Sequence, residues 1–519
     1  MQIKAYGADS WLFPNSCGGA DKAELHTARN SYANVQLKVV NLKKSAAWSL
    51  EFEGNAFKDI RLYRLLRVTV NRNSDFFEPL DTKSRTRAEL EKYFTKKAPF
   101  EVYDPLEPIE GNTVELPVDA LYLSVKIPTN TAPGCYKGIF RLFDGTETAE
   151  LPVEIKVYGA AVPTERRLNM ANWTEPSPAA YGAAENPDKM RETREKIALL
   201  GRHAGQNCIF VSTAFFKCKK TGDEYIYDFS EVENYVEKLL KMGYSRIEAA
   251  HVDSIYRRLA EPTEQMPAET DTGIFRIKEF LTQWYEFLSS RGWKNITLQH
   301  IGDEPKDVTV ERYARLSAAV KEIMPDITTV DAVLTPAACK YVDIPVLLTR
   351  HYQLHKKEYD REISGKEVWF YTCCWPTAPY LNRFLDMPLI SARLIHWLNY
   401  KLGMNGYLHW GFCSQAKNQD VYKEPSVPFK IMGVPESREY LPAGDTNIVY
   451  PTQNGPLGSA RLEMMRAGAE DYELLCGLDK AAAAALTDKL INADWCAKTD
   501  AAGFEKVHIK LLEACGNNE

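Results

Sequence analysis

The feature that most constrains the fold is a change of periodicity near residue 166, after which short apolar runs alternate with amphipathic segments long enough to be helices. This alternation is typical of βα units, whose strands form a parallel sheet. The runs extend from residue 168 to residue 410, close to the roughly 250 residues that an eight-stranded barrel needs. We therefore predict a (β/α)8 barrel of the TIM type rather than an open doubly wound sheet. The predicted strands are 168–173, 208–212, 246–251, 296–301, 327–332, 345–349, 368–373 and 406–410.

The segments between these runs carry apolar residues at helical spacing. In 232–240 the apolar positions fall at i, i+3, i+4, i+7 and i+8, and Asp228 is placed to cap the amino terminus. Similar patterns at 277–288 and 313–320 predict two further helices, the second of which ends before Pro325.

Before the barrel region, up to about residue 160, the periodicity is two. In 121–127 and 153–157 apolar residues alternate with polar ones, which is typical of strands with one buried face. Turn sequences at 131–134 and 144–145 separate such runs, so we predict an antiparallel β-sandwich. A helical-looking insertion at 85–97 interrupts it.

These patterns predict a multidomain chain. We expect a β-sandwich domain over 1–160, the catalytic barrel over 165–440, and a carboxy-terminal helical extension over 441–519 that packs on the barrel. Within the extension, 459–475 predicts a helix whose charged residues mix both signs at helical spacing. This pattern indicates a solvated face or an interdomain ion-pair face. The residues are Arg461, Glu463, Arg466, Glu470 and Asp471.

Charge and hydropathy exclude several classes of partner. The net charge is −6, and no basic stripe with interleaved aromatic residues is present, which argues against nucleic-acid binding. No stretch approaches the roughly 20 apolar residues that span a bilayer, so no membrane partner is expected. The amino terminus lacks the pattern of a signal peptide, so we expect a cytoplasmic protein, or a secreted or periplasmic one if a leader was removed. The oligomeric state is not predictable.

Motif absences narrow the chemistry. The eleven cysteines form no CxxC pair and no zinc-like spacing with histidine, which predicts reduced thiols, with the adjacent Cys373 and Cys374 packed in an apolar run. The Walker A, GxGxxG, GxSxG and HExxH motifs are absent. We therefore expect carboxylate chemistry that needs no metal and no organic cofactor.

The fourth predicted strand ends in Gly302-Asp303-Glu304-Pro305. Catalytic groups of a parallel barrel lie where its strands end, and a proline stops the hydrogen-bonded ladder. Asp303 and Glu304 are therefore the predicted catalytic residues at the rim of the barrel. A helix cap or a surface acidic pair without chemistry is the alternative.

Adjacent carboxyl groups raise each other's cost of ionisation, so one stays protonated near neutral pH. Neighbouring residues of an extended chain project in different directions, so the second group is poorly placed as a nucleophile opposite the acid. If the substrate is a 2-acetamido sugar, the oxygen of its own acetamido group can attack the anomeric carbon, so no protein nucleophile is required. We assign Glu304 as general acid/base and Asp303 as the anion that orients the acetamido group.

Aromatic and histidine residues near the strand ends are further candidates for substrate binding. Trp410 is placed to cover the apolar face of a sugar, with core packing as the alternative. Tyr352 is placed to hydrogen-bond the acetamido carbonyl, with packing in a loop as the alternative. His251 is placed to hydrogen-bond a sugar hydroxyl, with a purely structural histidine as the alternative. Pocket lining and core packing are equally open for three more residues, Trp173, Tyr371 and Trp375.

Taken together, the motifs resemble glycoside hydrolase family 123, the β-N-acetylgalactosaminidases, or a close sister family. The resemblance implies a β-sandwich joined to a (β/α)8 barrel, an adjacent Asp-Glu pair, and an exo-acting, retaining enzyme that removes terminal β-linked GalNAc through an oxazoline. His409 departs from the expected aromatic residue. A β-N-acetylglucosaminidase, another barrel glycosidase and a non-catalytic carbohydrate-binding protein are the alternatives. The motifs lie at 121–128, 132–138, 302–305, 369–373, 406–410 and 459–472.

Overall fold

The computed structural model describes residues 1–74, 91–259, 267–416, 418–429, 439–498 and 500–516. The predicted insertion at 85–97 therefore lies partly outside the described residues, and its described part contains one 3-10 turn, Glu91–Tyr93. None of the described helices has the length and apolar composition needed to cross a bilayer.

Two sheets form the amino-terminal sandwich, as the period-two patterns predict. The first has the strand order β1-β3-β8-β5-β6 and the second β2-β10-β9-β4-β7, with antiparallel pairing except between β2 and β10. Their inner faces enclose one apolar core. The strands are β1 Gln2–Gly7, β2 Ala23–Arg29, β3 Ser31–Val40, β4 Ala46–Phe52, β5 Ile60–Val70, β6 Phe100–Pro108, β7 Thr113–Val114, β8 Ala120–Ile127, β9 Gly134–Phe143 and β10 Thr148–Ala161.

The second half of the chain forms the predicted barrel of eight parallel strands. Each predicted strand is present, and the order is β11-β20-β19-β18-β17-β16-β15-β12. The two ends of this order meet, since the Asn207 amide donates to the Met170 carbonyl at 3.3 Å. The strands are β11 Asn169–Asn172, β12 Cys208–Val211, β15 Arg246–Ala249, β16 Thr297–Gln299, β17 Thr328–Val333, β18 Ile344–Leu348, β19 Trp369–Tyr371 and β20 Gly406–His409, with a hairpin of β13 Lys217–Thr221 and β14 Glu224–Asp228 after β12.

Helices surround the barrel and continue to the carboxyl terminus. The helix predicted at 232–240 buries Val232, Val236 and Leu239, and the Asp228 carboxylate accepts a hydrogen bond from the Ser230 amide at its start. The helices are α1 Pro187–His203, α2 Ser230–Lys241, α3 Val252–Leu259, α4 Asp271–Arg291, α5 Val310–Ile323, α6 Thr349–Leu354, α7 Lys356–Glu362, α8 Ile390–Leu402, α9 Ala460–Cys476, α10 Lys480–Leu490 and α11 Ala501–Gly516.

The segment after residue 440 joins the two halves of the molecule. It begins with a hairpin of β23 Tyr450–Thr452 and β24 Gly455–Ser459, and β24 pairs with β6 of the sandwich. Helix α9 follows and packs against barrel helix α8, where Arg393 binds Asp471 at 2.7 Å. Two short strands precede the hairpin, β21 Pro428–Phe429 and β22 Glu439–Tyr440.

Helix α9 is buried on both faces, so its charged residues form an interdomain ion-pair face rather than a solvated one. Arg466 binds Glu463 at 3.0 Å and Glu470 at 2.7 Å. Both carboxylates also accept hydrogen bonds from β3 of the sandwich, from Asn34 at 3.2 Å and Ser31 at 2.6 Å. Sandwich and barrel therefore meet across charged groups that satisfy one another.

Candidate active site

The Asp303-Glu304 pair lies in a strained turn just beyond strand β16. Glu304 has a φ of +50°, in the left-handed region that residues other than glycine rarely adopt. Hydrogen bonds to the neighbouring strand stabilise this conformation: the Glu304 amide donates to Ala332 O at 3.1 Å, and the Leu334 amide donates to Pro305 O at 3.2 Å. Strain of this kind is concentrated at functional sites, where the surrounding structure maintains it.

A buried carboxylate on strand β17 fixes the start of the same turn. Asp331 Oδ2 accepts hydrogen bonds from the amides of Ile301 at 3.2 Å and Gly302 at 2.7 Å. Asp331 is fully buried. The backbone leading into the acid pair is thus held by a charged acceptor, which makes stronger hydrogen bonds than a neutral one.

The surroundings of Asp303 are those of a concave site. Its side chain is 53% exposed. The protein around it nevertheless withdraws water from the carboxyl and raises the pKa of Asp303, while the imidazoles of His251 and His300 oppose that rise. A group that is accessible yet poorly hydrated is what a ligand cleft provides.

Glu304 has the proton affinity expected of a general acid. Poor hydration and the neighbouring Asp303 raise the pKa of Glu304 to about 7. A hydrogen bond from the Tyr371 hydroxyl to Glu304 Oε1, 2.5 Å long, limits this rise. Such a carboxyl is protonated over much of the neutral range and can still ionise during a reaction.

Behind the acid pair, His300 joins two buried carboxylates. Its Nδ1 lies 2.9 Å from Asp331 Oδ1 and its Nε2 lies 2.8 Å from Glu248 Oε1. Burial alone lowers the pKa of His300, but the two carboxylates outweigh that effect and raise it to about 10. His300 is therefore an imidazolium that donates a hydrogen bond from both nitrogens.

The predicted binding residue His251 lies between this buried group and the acid pair. Its Nε2 is 3.3 Å from Asp331 Oδ1 and 3.9 Å from Asp303 Oδ1. His251 is 7% exposed, so only its edge reaches the cleft. The structure thus brings His251 together with both Asp303 and the carboxylate that holds the turn.

Four of the predicted aromatic residues also lie at this end of the barrel. The indole of Trp173 stacks on Phe210 at 5.3 Å, and its Nε1 donates to Glu248 Oε1 at 2.7 Å. Tyr371, Trp375 and Trp410 pack in or against the same apolar cluster as Trp173.

Tyr352 differs from these residues because its side chain is engaged elsewhere. Its hydroxyl donates to Asp360 Oδ1 at 2.7 Å, and its ring lies 5.2 Å from that of Trp495. These contacts favour the packing alternative for Tyr352. Asp360 and Trp495, which lie on α7 and in the carboxy-terminal segment, could not be linked to Tyr352 from sequence spacing.

His409, where an aromatic residue was expected, has a structural environment. It is fully buried, and its Nδ1 accepts hydrogen bonds from Arg383 Nη2 at 2.7 Å and from the Gly411 amide at 2.9 Å. Burial lowers the pKa of His409 well below its ordinary value, with the Arg383 charge adding to the effect. A neutral imidazole that accepts from a buried guanidinium is a packing partner of strand β20.

Three residues of the site were not identified from the sequence: Glu248, His300 and Asp331. Each is a polar side chain inside a predicted barrel strand, in 246–251, 296–301 and 327–332 respectively. These polar positions were the available sequence signal for a buried polar site, because a charged residue in a buried strand needs a partner.

One group of side chains in the described part of the chain has a spacing compatible with metal binding. Ligand atoms of His251, His300 and Asp331 all lie within 4.8 Å of one another. Imidazole and carboxylate would suit a divalent transition metal. The hydrogen bonds from His300 to Asp331 and Glu248 account for the same distances without an ion.

The adjacent carboxyl groups lie at the carboxyl ends of the barrel strands, where barrel enzymes have their active sites. One acid bound by a tyrosine and nearby aromatic side chains suit the chemistry of a glycoside hydrolase. The family model described as "Glycoside hydrolase 123, catalytic domain" matches residues 186–478, more than half of the chain. The chain belongs to glycoside hydrolase family 123, as the sequence motifs indicated. Among curated proteins, no sequence matches it.

A solved structure of family 123 supports the fold. A family 123 glycoside hydrolase from Clostridium perfringens, studied for glycolipid glycan hydrolysis, superposes with a TM-score of 0.72 at 14% identity, covering 99% of this chain and 97% of its own. A family 39 glycoside hydrolase from Bacteroides cellulosilyticus gives a TM-score of 0.40 at 10% identity, with coverages of 86% and 81%. The first likeness extends over the sandwich, the barrel and the carboxy-terminal helices, which confirms the predicted fold class.

Proposed function

We propose that this glycoside hydrolase is exo-acting and retaining, and that it removes terminal β-linked N-acetylgalactosamine through an oxazoline intermediate. The observation that carries the proposal is the adjacency of Asp303 and Glu304 in a single strained turn. Two carboxyl groups on consecutive residues suit an acid and an anion on the same side of the sugar better than an acid and an opposed nucleophile.

In the first step, Glu304 donates its proton to the glycosidic oxygen as the bond from that oxygen to C1 breaks. The carbonyl oxygen of the 2-acetamido group attacks C1 and closes the oxazolinium ring. Asp303 accepts a hydrogen bond from the acetamido N–H and balances the positive charge that develops there. The pKa of Glu304, about 7, suits this donation near neutral pH.

In the second step, the Glu304 carboxylate takes a proton from a water molecule, whose oxygen attacks C1. The bond between C1 and the acetamido oxygen breaks, and the acetamido group is restored. Two inversions at C1 give net retention of configuration. Tyr371 accompanies Glu304 in both steps, because its hydroxyl can donate to the carboxylate form.

The choice of N-acetylgalactosamine rests on the family resemblance, and the family 123 enzyme from Clostridium perfringens, which hydrolyses glycolipid glycans, supports a glycan substrate. Trp173 and Trp410 are proposed to cover the apolar face of the sugar, with His251 and Trp375 beside them. Glycan-binding sites favour such aromatic surfaces because each pyranose has an apolar face.

The test compares three 4-nitrophenyl β-glycosides: that of GalNAc, that of GlcNAc, and that of galactose, which lacks the acetamido group. The proposal expects the highest kcat/KM on the GalNAc compound, no turnover of the galactoside, and inhibition by a GalNAc-thiazoline. Turnover of the galactoside without turnover of the GalNAc compound would exclude the mechanism. A preference for the GlcNAc compound would be consistent with the proposed mechanism but would show that the substrate is a β-GlcNAc glycoside.

A further inference from the structure

A continuous line of buried polar groups runs beneath the proposed active site. Trp173 Nε1 donates to Glu248 Oε1 at 2.7 Å. The same oxygen lies 2.8 Å from Nε2 of His300, whose Nδ1 lies 2.9 Å from Asp331 Oδ1. The other oxygen of Asp331 accepts from the amide of Gly302, which precedes the acid pair. The line therefore begins at a proposed sugar-binding indole and ends at the catalytic turn.

The components come from separate parts of the barrel. Trp173 follows strand β11, Glu248 lies on β15, His300 follows β16 and Asp331 lies on β17. Glu248, His300 and Asp331 are each completely buried. None of the three reaches the surface, and the attraction between the His300 imidazolium and the two carboxylates offsets the cost of burying their charges.

A histidine between two carboxylates is well suited to hold them at a fixed distance from each other. Only an imidazolium donates from both ring nitrogens, and its rigid ring fixes the two acceptors at a set separation. A neutral imidazole would donate to only one of the two carboxylates, and a flexible amide would define the separation less sharply. The His300 and His251 rings also lie nearly perpendicular to the Trp173 indole, with ring centroids 5.7 and 5.3 Å from it.

We propose that Glu248, His300 and Asp331 are positioning residues that fix the Trp173 indole and the Asp303-Glu304 turn relative to each other. The sugar ring and the acid pair are thereby aligned by one hydrogen-bonded unit. The proposal rests on the proposed function, because it assumes that Trp173 contacts the sugar and that Asp303 is the anion. Misplacement of a reacting group by about 1 Å can cost about 100-fold in rate.

The unit also acts on the charge of Asp303. The charged and titratable groups that face Asp303 are His251, His300, Asp331 and Asp253, together with the neighbouring Glu304. The positive charge of His300 lowers the pKa of Asp303, whereas the Asp331 and Asp253 charges raise it. Loss of the His300 charge therefore raises the pH at which Asp303 becomes an anion.

The principal variants are Glu248→Gln, which keeps an acceptor for Trp173 but removes a charge beside His300, and His300→Gln. For both we expect kcat/KM on 4-nitrophenyl β-GalNAc to fall about 100-fold. In His300→Gln, which removes the positive charge, we also expect the acid limb of the pH profile to move to higher pH. A variant that only destabilised the fold would lower the amount of active enzyme without moving the limb.

The matched control is His396→Gln, which replaces another fully buried histidine, on helix α8, that contacts Asn399 instead of a carboxylate. It should leave the acid limb unchanged. A third variant, Trp173→Phe, removes the indole N–H that binds Glu248 and should raise KM more than it lowers kcat. If His300→Gln does not fold, Glu248→Gln and Trp173→Phe carry the test.

A second readout needs no turnover. In the wild type, the two N–H protons of the His300 imidazolium should give downfield proton NMR signals that disappear in His300→Gln and shift in Glu248→Gln. If the wild type cleaves none of the chromogenic substrates, the proposed function fails while this measurement still reports the hydrogen-bonded unit. The positioning proposal is overturned if the signals are absent in the wild type, or if both principal variants keep the wild-type acid limb and kcat/KM.

Discussion

The hydroxyl of Tyr371 lies 2.5 Å from Oε1 of Glu304 and donates a hydrogen bond to it across the mouth of the barrel. Tyr371 ends strand β19 and Glu304 follows β16, with β17 and β18 between them. The bond orients the carboxyl of Glu304 and stabilises its ionised form. It therefore acts against burial and the Asp303 charge, which raise the pKa of Glu304.

These opposing effects predict a bell-shaped pH dependence of kcat/KM. Glu304 must be protonated to act as the acid, so activity should fall as the pH rises through about 7. Asp303 must be ionised, and its raised pKa should place the acid limb above the ordinary range of an aspartate. Initial rates on an unactivated β-GalNAc substrate between pH 4 and pH 9 test both limbs. A rate that stayed constant up to pH 9 would contradict the role of Glu304.

Replacement of Tyr371 by phenylalanine removes the hydrogen bond that lowers the pKa of Glu304. The base limb should therefore move to higher pH, and kcat at neutral pH should fall about 10- to 100-fold, as expected for the loss of a hydrogen bond to a charged group. Tyr359→Phe is the matched control, because the buried Tyr359 hydroxyl has no hydrogen-bond partner among the described residues. An unmoved base limb in Tyr371→Phe would show that the bond does not act on the acid.

The variant Glu304→Gln should discriminate between leaving groups. Glutamine cannot protonate the glycosidic oxygen, so cleavage of a natural aglycone should fall by about 10²- to 10⁴-fold, the usual contribution of a general acid. A dinitrophenyl glycoside, whose leaving group needs no proton, should lose much less in the first step. Equal losses on both substrates would argue against acid catalysis by Glu304.

The variant Asp303→Asn keeps the shape of the side chain and removes its charge. Without that charge, the oxazolinium is not balanced, so kcat should fall for good and poor leaving groups alike. The melting temperature should stay close to that of the wild type, because half of the Asp303 side chain is exposed. Near-wild-type rates in this variant would remove Asp303 from the mechanism.

Local patterns were sufficient to predict the barrel and to place Asp303 and Glu304 after its fourth strand. The barrel strands lie in short, largely apolar runs that alternate with amphipathic helices, and parallel strands buried on both faces leave that signal in the sequence. The acid pair was identifiable because Pro305 ends a strand directly after two carboxylates. Both features depend only on residues close together in the chain.

Contacts between distant residues were beyond such patterns. The sequence left pocket lining and core packing equally open for Tyr371, because its bond to Glu304 joins residues 67 positions apart. Strand β8 was predicted to have one buried face, yet Tyr122 on its other face is fully buried, because it packs with Leu12, Leu65 and Tyr103 from other parts of the chain. The orientation of Tyr352 toward Asp360 likewise depends on how two helices follow strand β18.

The ion pairs of α9 predict how strongly the sandwich and the barrel depend on each other. Arg466→Met would remove the arginine that Glu463 and Glu470 share, leaving Glu463 with His203 at 2.6 Å and Glu470 with Arg166 at 3.5 Å. Breaking a buried ion pair on one side costs about 3–5 kcal/mol, and the two remaining partners reduce that cost. The free energy of unfolding in urea should therefore fall by less than that amount but by more than about 1 kcal/mol. Arg191→Met, which removes an arginine that is 44% exposed and paired with Asp188, should change it by less than about 1 kcal/mol. If Arg466→Met were as stable as this control, the charged face would contribute little, and the sandwich would be held to the barrel by apolar contacts and by the β24–β6 pairing.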